Sequence, residues 1–219
     1  MSVITYDHIS VSGVSFLRLL SMEIEQKINE HSRASICCEM TKEQAAEADS
    51  MPKYSYIIVS YSVDEDSGVL FYGVKISSEI QMEGEYYVLR LELASTSYIL
   101  DKEPVKKSYS NSQKTIEDIM QEVVGNQAII DFHVTDRVLA EFTMQYNETK
   151  WAFIKRLASR CNASVIANIT TKKPVIHIGK PEEEVEENES FESRITETFN
   201  MDIPIIQETK CSTSTAFLK

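Results

Sequence analysis

The hydrophobic periodicity of this chain changes once, near Asp101, and that change limits the possible folds more than any other feature. Ahead of it, apolar side chains recur at every second residue, as in a strand with one buried face; after it they recur with the 3.6-residue period of an amphipathic helix. A sheet-forming segment followed by a mixed segment of helices and strands is therefore expected, which makes the fold class α+β.

In the first segment the clearest strand covers residues 87–93: Tyr87, Leu89, Leu91 and Leu93 share one face, while Arg90 and Glu92 take the other. Residues 69–80 read as its antiparallel neighbour, joined through Met82-Glu83-Gly84-Glu85, where Gly84 supplies the positive φ of a tight hairpin. Residues 54–62, rich in aromatic and β-branched side chains, read as a third strand ending in a polar turn at residues 64–68 that closes on Gly68. A short helix fits residues 41–48, started by Thr41 and stopped before Pro52.

In the second segment Thr115 and Asp118 have capping-box spacing. Ile116, Ile119, Met120, Val123 and Val124 form one apolar stripe, and Gly125 stops the helix. Strands are expected over 128–134 and 140–145. A second helix follows, capped by Asn147, with Trp151, Ile154, Leu157, Ala158 and Cys161 on its inner side and Asn162 in a left-handed turn at its exit. Strands at 163–169 and 174–178 come next. The run 181–189 places six carboxylates in nine residues and reads as a self-repelling, solvated linker, with further strands within 193–206 and a weakly specified tail.

A formal charge of -12 argues against direct nucleic-acid binding, which needs clustered Lys and Arg; Lys106-Lys107 and Lys172-Lys173 are isolated pairs. The first residues show neither a basic nor an apolar leader region and no later run is long enough to span a bilayer, so a soluble chain without membrane insertion is expected. Cys37, Cys38, Cys161 and Cys211 lack a disulfide-framework spacing, and adjacent Cys37 and Cys38 point to opposite faces of a strand, so reduced structural thiols are the expectation.

Catalytic chemistry is weakly signalled. His8, His31, His133 and His177 occur in no metal-ligand spacing, so no metal site is expected, and scattered glycines form no phosphate loop, so no cofactor is expected either. A Cys161 nucleophile paired with His133 or His177 conflicts with the position of Cys161 on an apolar helix face. Glu141, Glu148 and Asp131 are conceivable acid/base carboxylates, but Glu148 reads as a first-turn residue favoured by the helix dipole. Trp151 and Phe153 read as core rather than as a binding platform.

The stretch 145–158, with Gln145, Tyr146, Glu148, Trp151, Phe153, Arg156 and Leu157 at their spacings, resembles the signature of phage tail baseplate hub proteins and of VgrG-type spike proteins. Phe71 and Gly73 within Phe71-Tyr72-Gly73-Val74-Lys75-Ile76 are similar to the same family's Phe-x-Gly-x-Ile strand. Tyr98-Ile99-Leu100-Asp101 resembles its hand-over from barrel to inserted module.

The resemblance spans roughly residues 1–180 and implies an antiparallel, tail-tube-like β-barrel over 1–104, completed by strands within 191–219, with an inserted α/β subdomain over 105–180 and an acidic linker at 181–190. It also implies a non-enzymatic structural part of a phage tail or contractile injection system that adapts the tail tube to the spike. Such a part is made in the bacterial cytoplasm, built into the particle, and contacts tube, spike and baseplate proteins as a homo-oligomer, a trimer in the family. A full hub or spike continues with a second barrel, for which 219 residues leave no room. The competing expectation is a tail-associated cell-wall-degrading enzyme.

Overall fold

The computed structural model describes residues 4–64, 66–110, 113–135, 138 and 142–180. They fall into two compact units, one made of residues 4–25 and Arg33–Ala94, the other of Gln26–Ser32 and the chain from Ser95 to residue 180. The division lies at Ala94/Ser95, whereas the expected subdomain boundary stood at 104/105. Those ten residues matter because the 3-10 turn Thr96–Asp101 buries Leu100 in the core of the second unit.

The first unit holds β1 (Ile9–Val11), β2 (Arg18–Glu25), β3 (Arg33–Met40), helix α1 (Lys42–Asp49), β4 (Tyr56–Val63), β5 (Asp66–Glu83) and β6 (Tyr86–Ser95). Its strands form one curled, half-barrel sheet in the order β1-β4-β5-β6-β3-β2. The expected alternation is present: Leu89, Leu91 and Leu93 of β6 are buried, Arg90 and Glu92 are exposed. Across β3, Ala34, Ile36, Cys38 and Met40 face the same core. Cys37 lies half-buried on the other face, as adjacent strand residues must.

At 18 residues, β5 is long enough to serve two neighbours; its first part pairs with β4 and its later part turns back into β6. A straight strand of that length would run about 60 Å. The register slips between Val59 and Ser60, leaving Leu70 as an extra residue, and such a bulge bends a strand. Gly84, at φ 66°, is the first residue of the two-residue turn into β6.

Gly68 does not close the preceding turn. It lies inside β5 opposite Tyr61, and a Cβ there would meet the Tyr61 ring at 2.7 Å, so the glycine makes room for an aromatic cross-strand partner. The turn itself is made earlier, with Asp64 at φ 53°. Helix α1 begins as expected: Thr41 accepts from Gln44 N while the Gln44 side chain accepts from Thr41 N. Past its far end the buried Lys75 ammonium donates to Met51 O at 2.8 Å.

The second unit holds β7 (Pro104–Tyr109), α2 (Ile116–Val124), β8 (Ile129–Phe132), β9 (Thr143–Thr149), α3 (Lys150–Arg160), β10 (Val165–Ala167) and β11 (Val175–Ile178). One sheet has the order β10-β11-β8, with β11 antiparallel to β10 and parallel to β8; β7 and β9 form a second, antiparallel pair. The α2 and α3 stripes close over one core that includes Ile119, Met120, Ile154, Leu157, Ile176 and Ile178.

The α2 start is the expected capping box, with Thr115 Oγ1 accepting from Asp118 N and Asp118 Oδ2 from Thr115 N, both at 3.1 Å. Its end is Gly125 at φ 53°. The expected strand at 140–145 is displaced: β9 begins at Thr143, and residues 139–141 lie outside the described residues. The acidic run at 181–189 and the strands expected within 191–219 lie outside them as well.

Candidate functional site

The stretch 145–158 folds into a tightly connected junction between β9 and α3. The register of β9 on β7 passes from Val105↔Glu148 to Lys106↔Tyr146, so Asn147 is an extra residue, and it takes φ 52°. An extra residue in the left-handed region is what a bulge of this kind requires, and Asn tolerates it. Asn147 is therefore not the helix cap. Thr149 is, with its Oγ1 accepting from Ala152 N at 3.1 Å, because the bulge delays helix entry by two residues.

The same bulge corrects the role expected for Glu148. That residue precedes the cap and does not sit in the first turn; its carboxylate is gripped by Arg156, through Nη2 on Oε1 and through Nε on Oε2 at 3.3 Å. Arg156 also donates to Met144 O at 2.7 Å and lies 4.8 Å over the Phe153 ring. Gln145 is 1% exposed, and its amide donates to Glu148 O across the bulge at 3.1 Å. Trp151, Phe153 and Leu157 are buried, with Phe153 stacked 5.4 Å from Tyr109. Only Tyr146 among these residues is outside, 64% exposed beside Lys106.

The remaining two residues of the recognised pattern lie in the six-stranded sheet. Phe71 is fully buried, and a Cβ on Gly73 would meet the Phe71 ring at 2.5 Å and Ala94 O at 2.7 Å. Gly73 is thus the space into which Phe71 packs.

A Ser-His-Asp arrangement sits in the second unit that sequence spacing did not reveal. His31 Nδ1 is 2.8 Å from Ser97 Oγ, and His31 Nε2 is 3.5 Å from Asp101 Oδ2. The imidazole lies 4.2 Å from the Trp151 ring, and Ser97 Oγ also contacts Ser95 Oγ at 2.8 Å. Ser95 and Ser97 are at most 1% exposed, so the hydroxyl lacks the access to substrate that a nucleophile needs. The group ties residue 31 to the turn at 95–101, and Thr149 Oγ1 donates to Asp101 Oδ1 from the start of α3.

The expected acid/base carboxylates do not form a pair in a cleft. Glu148 is bound by Arg156, Asp131 is bound by histidines, and Glu141 lies outside the described residues. Cys161, the C-terminal cap residue of α3, packs against the core on the expected side of the helix but is only half-buried. The opposite holds for Cys38, whose thiol is pushed up to about 12 by burial and then by neighbouring Cys37.

The histidines depart furthest from the sequence reading. His133 and His177, 44 residues apart, converge on Asp131: each has a ring nitrogen 2.9 Å from Asp131 Oδ2. The parallel register sets His177 opposite Asp131, and His133 lies two residues further along, just past the end of β8. No local spacing encodes such a meeting, because it depends on which strand β11 joins.

A curled antiparallel sheet followed by an α/β unit entered through the Asn147 bulge defines an α+β protein. Residues 70–167 match the phage tail baseplate hub family, known as GPD. Three solved structures share the fold. They are an E. coli type VI secretion component similar to T4 tail proteins (14% identity, TM-score 0.52), a tail protein from Neisseria meningitidis (11%, 0.54) and the 43 kDa tail protein of prophage MuSo2 from Shewanella oneidensis (10%, 0.55). Each alignment covers 78% of this chain and 48%, 50% and 53% of the respective relative, so the chain spans about half the length of the tail proteins it matches. No curated protein matches it in sequence.

Proposed function

We propose that this chain is a structural hub component of a phage tail or a phage-tail-like contractile injection system, adapting the tail tube to the spike. The observation that carries the reading is the family match over residues 70–167, which takes in both the Phe71/Gly73 pair and the whole β9–α3 junction. In that junction the polar side chains Gln145, Glu148, Thr149 and Arg156 are committed to holding backbone and each other. Groups used in this way are scaffold, and none of them is presented to a substrate.

Assembly contacts need exposed surface of the right kind. Phe142, just before β9, and Met144 and Tyr146 on it are 64%, 44% and 64% exposed, an alternating apolar stripe that suits protein contact. Tube, spike and baseplate proteins are the partners this reading assigns, with the chain acting as a homo-oligomer, a trimer, after synthesis in the bacterial cytoplasm. It assigns no enzymatic activity, no nucleic-acid contact and no membrane insertion; among the described residues no helix is long and apolar enough to cross a membrane.

Co-expression with the tube and spike proteins of its own gene cluster, followed by light scattering and electron microscopy, tests the reading. A defined complex with the chain at the tube-to-spike junction is expected. A chain that stays monomeric and joins neither protein overturns it. Clearing of peptidoglycan in a gel overlay, lost on Ser97→Ala substitution with the fold intact, would instead establish the enzyme reading.

A further inference from the structure

We propose that Asp131, His133 and His177 form a binding site for one divalent transition-metal cation of the zinc, nickel and cobalt class. Three potential ligand atoms, Asp131 Oδ2 on β8, His133 Nε2 just past its end and His177 Nδ1 on β11, lie within 4.8 Å of one another. The carboxylate oxygen is 2.9 Å from each nitrogen, and the nitrogens are 3.4 Å apart. Ligands at about 2.0–2.1 Å from a tetrahedral metal stand roughly 3.4 Å from each other, so the three atoms need only spread by a few tenths of an ångström to hold an ion.

The backbone positions this triangle. Ile130, Ile176 and Ile178, alternating with the three polar residues, are buried in the core and fix the register of the two strands. The pairing extends past the strand ends through His133 N donating to Ile178 O at 2.9 Å. Next to it, a Cβ on Gly179 would strike Val134 at 2.6 Å, so the chain after β11 runs close against the end of β8.

Two imidazoles and one carboxylate suit the later first-row metals, whereas magnesium and calcium favour all-oxygen sets. The imidazole side chains are 18% and 17% exposed and the carboxylate 44%, which leaves the carboxylate side open for water or a further donor. A cation here would link β8 to β11, the parallel pairing that joins residues 44 to 46 apart in sequence. This site is independent of the hub reading, since it uses none of the junction residues.

The test uses the untagged full chain, stripped with chelator and titrated with zinc, nickel or cobalt alone. One equivalent is expected to bind, the cobalt spectrum to show nitrogen and oxygen ligation without thiolate charge-transfer bands, and zinc at about 100 times its Kd to raise Tm by roughly 5–10 °C. His177→Ala and His133→Ala should each weaken binding by at least about 100-fold while leaving the metal-free Tm close to that of the parent; Asp131→Asn serves if either histidine variant fails to fold. Unchanged affinity in these variants, or thiolate bands in the cobalt spectrum, overturns the proposal.

Discussion

The two units reach stability by different means. In the first, the alternation of apolar and polar residues along β3 and β6 does most of the specifying, and its polar pairs, such as Arg18 with Glu39 and Ser35 with Glu92, are exposed. In the second, the strands are short and the chain is held by polar ties at particular points: the Thr115/Asp118 box, Gln145 across the Asn147 bulge, and Arg156 on Glu148. A periodic pattern spreads specification over many residues, so each is individually replaceable. A point tie concentrates it in one side chain, and exposed pairs add little.

That contrast can be broken most forcefully at its cores. Trp151→Ala, removing the fully packed aromatic that also stacks on His31, should cost about 3–5 kcal/mol in urea unfolding followed by circular dichroism, and Phe71→Ala a similar amount in the sheet. Equal costs would show that the large buried rings are equivalent in both units.

Alkaline pH gives the next largest effect. Burial pushes Cys38 up to about 12 in the first unit, and burial together with nearby Glu122 pushes Tyr109 up to about 12 in the second. Both groups are neutral when folded and ionise sooner when unfolded, near pH 9 for the thiol and near pH 10 for the phenol, so their contribution is complete below those values and lost as pH rises toward 12. Unfolding midpoints should fall steadily above pH 9, and Cys38→Ala should shallow the fall, with the remaining slope beginning near pH 10.

Gly73→Ala sharpens the case for close packing within the sheet. The added methyl meets both the Phe71 ring and Ala94 O, and a loss of about 1–3 kcal/mol is expected, whereas Gly84→Ala, with nothing near its missing Cβ, should lose only the smaller cost of a positive φ. The smallest effect is at a helix start: Thr115→Ala should cost about 1 kcal/mol by thermal unfolding. Were it as costly as Trp151→Ala, point ties would outweigh burial in the second unit.

What the sequence disclosed follows the same division. The β6 alternation, the Gly84 hairpin, the start of α1 at Thr41, the α2 capping box and the left-handed Asn162 are all written within a few consecutive residues, and all were legible. The start of α3 was not, because Asn147 and Thr149 are both good caps and only the pairing with β7 shows that Asn147 is needed for the bulge. The role of Gly68 was hidden by its partner Tyr61, and the histidine cluster by the parallel register of β8 and β11. Within residues 145–158, the grip of Arg156 on Glu148 required coordinates, because the bulge that brings them together depends on the pairing with β7.

The unpaired Asn147 also has an evolutionary consequence. Deleting it would join Tyr146 directly to Glu148 and restore an uninterrupted ladder to β7, but would disturb the ties that cross the bulge, Gln145 to Glu148 O and Arg156 to Met144 O. Descendants of this chain should therefore vary freely in the outward-facing tyrosine at 146, yet never gain or lose a residue between Gln145 and Trp151.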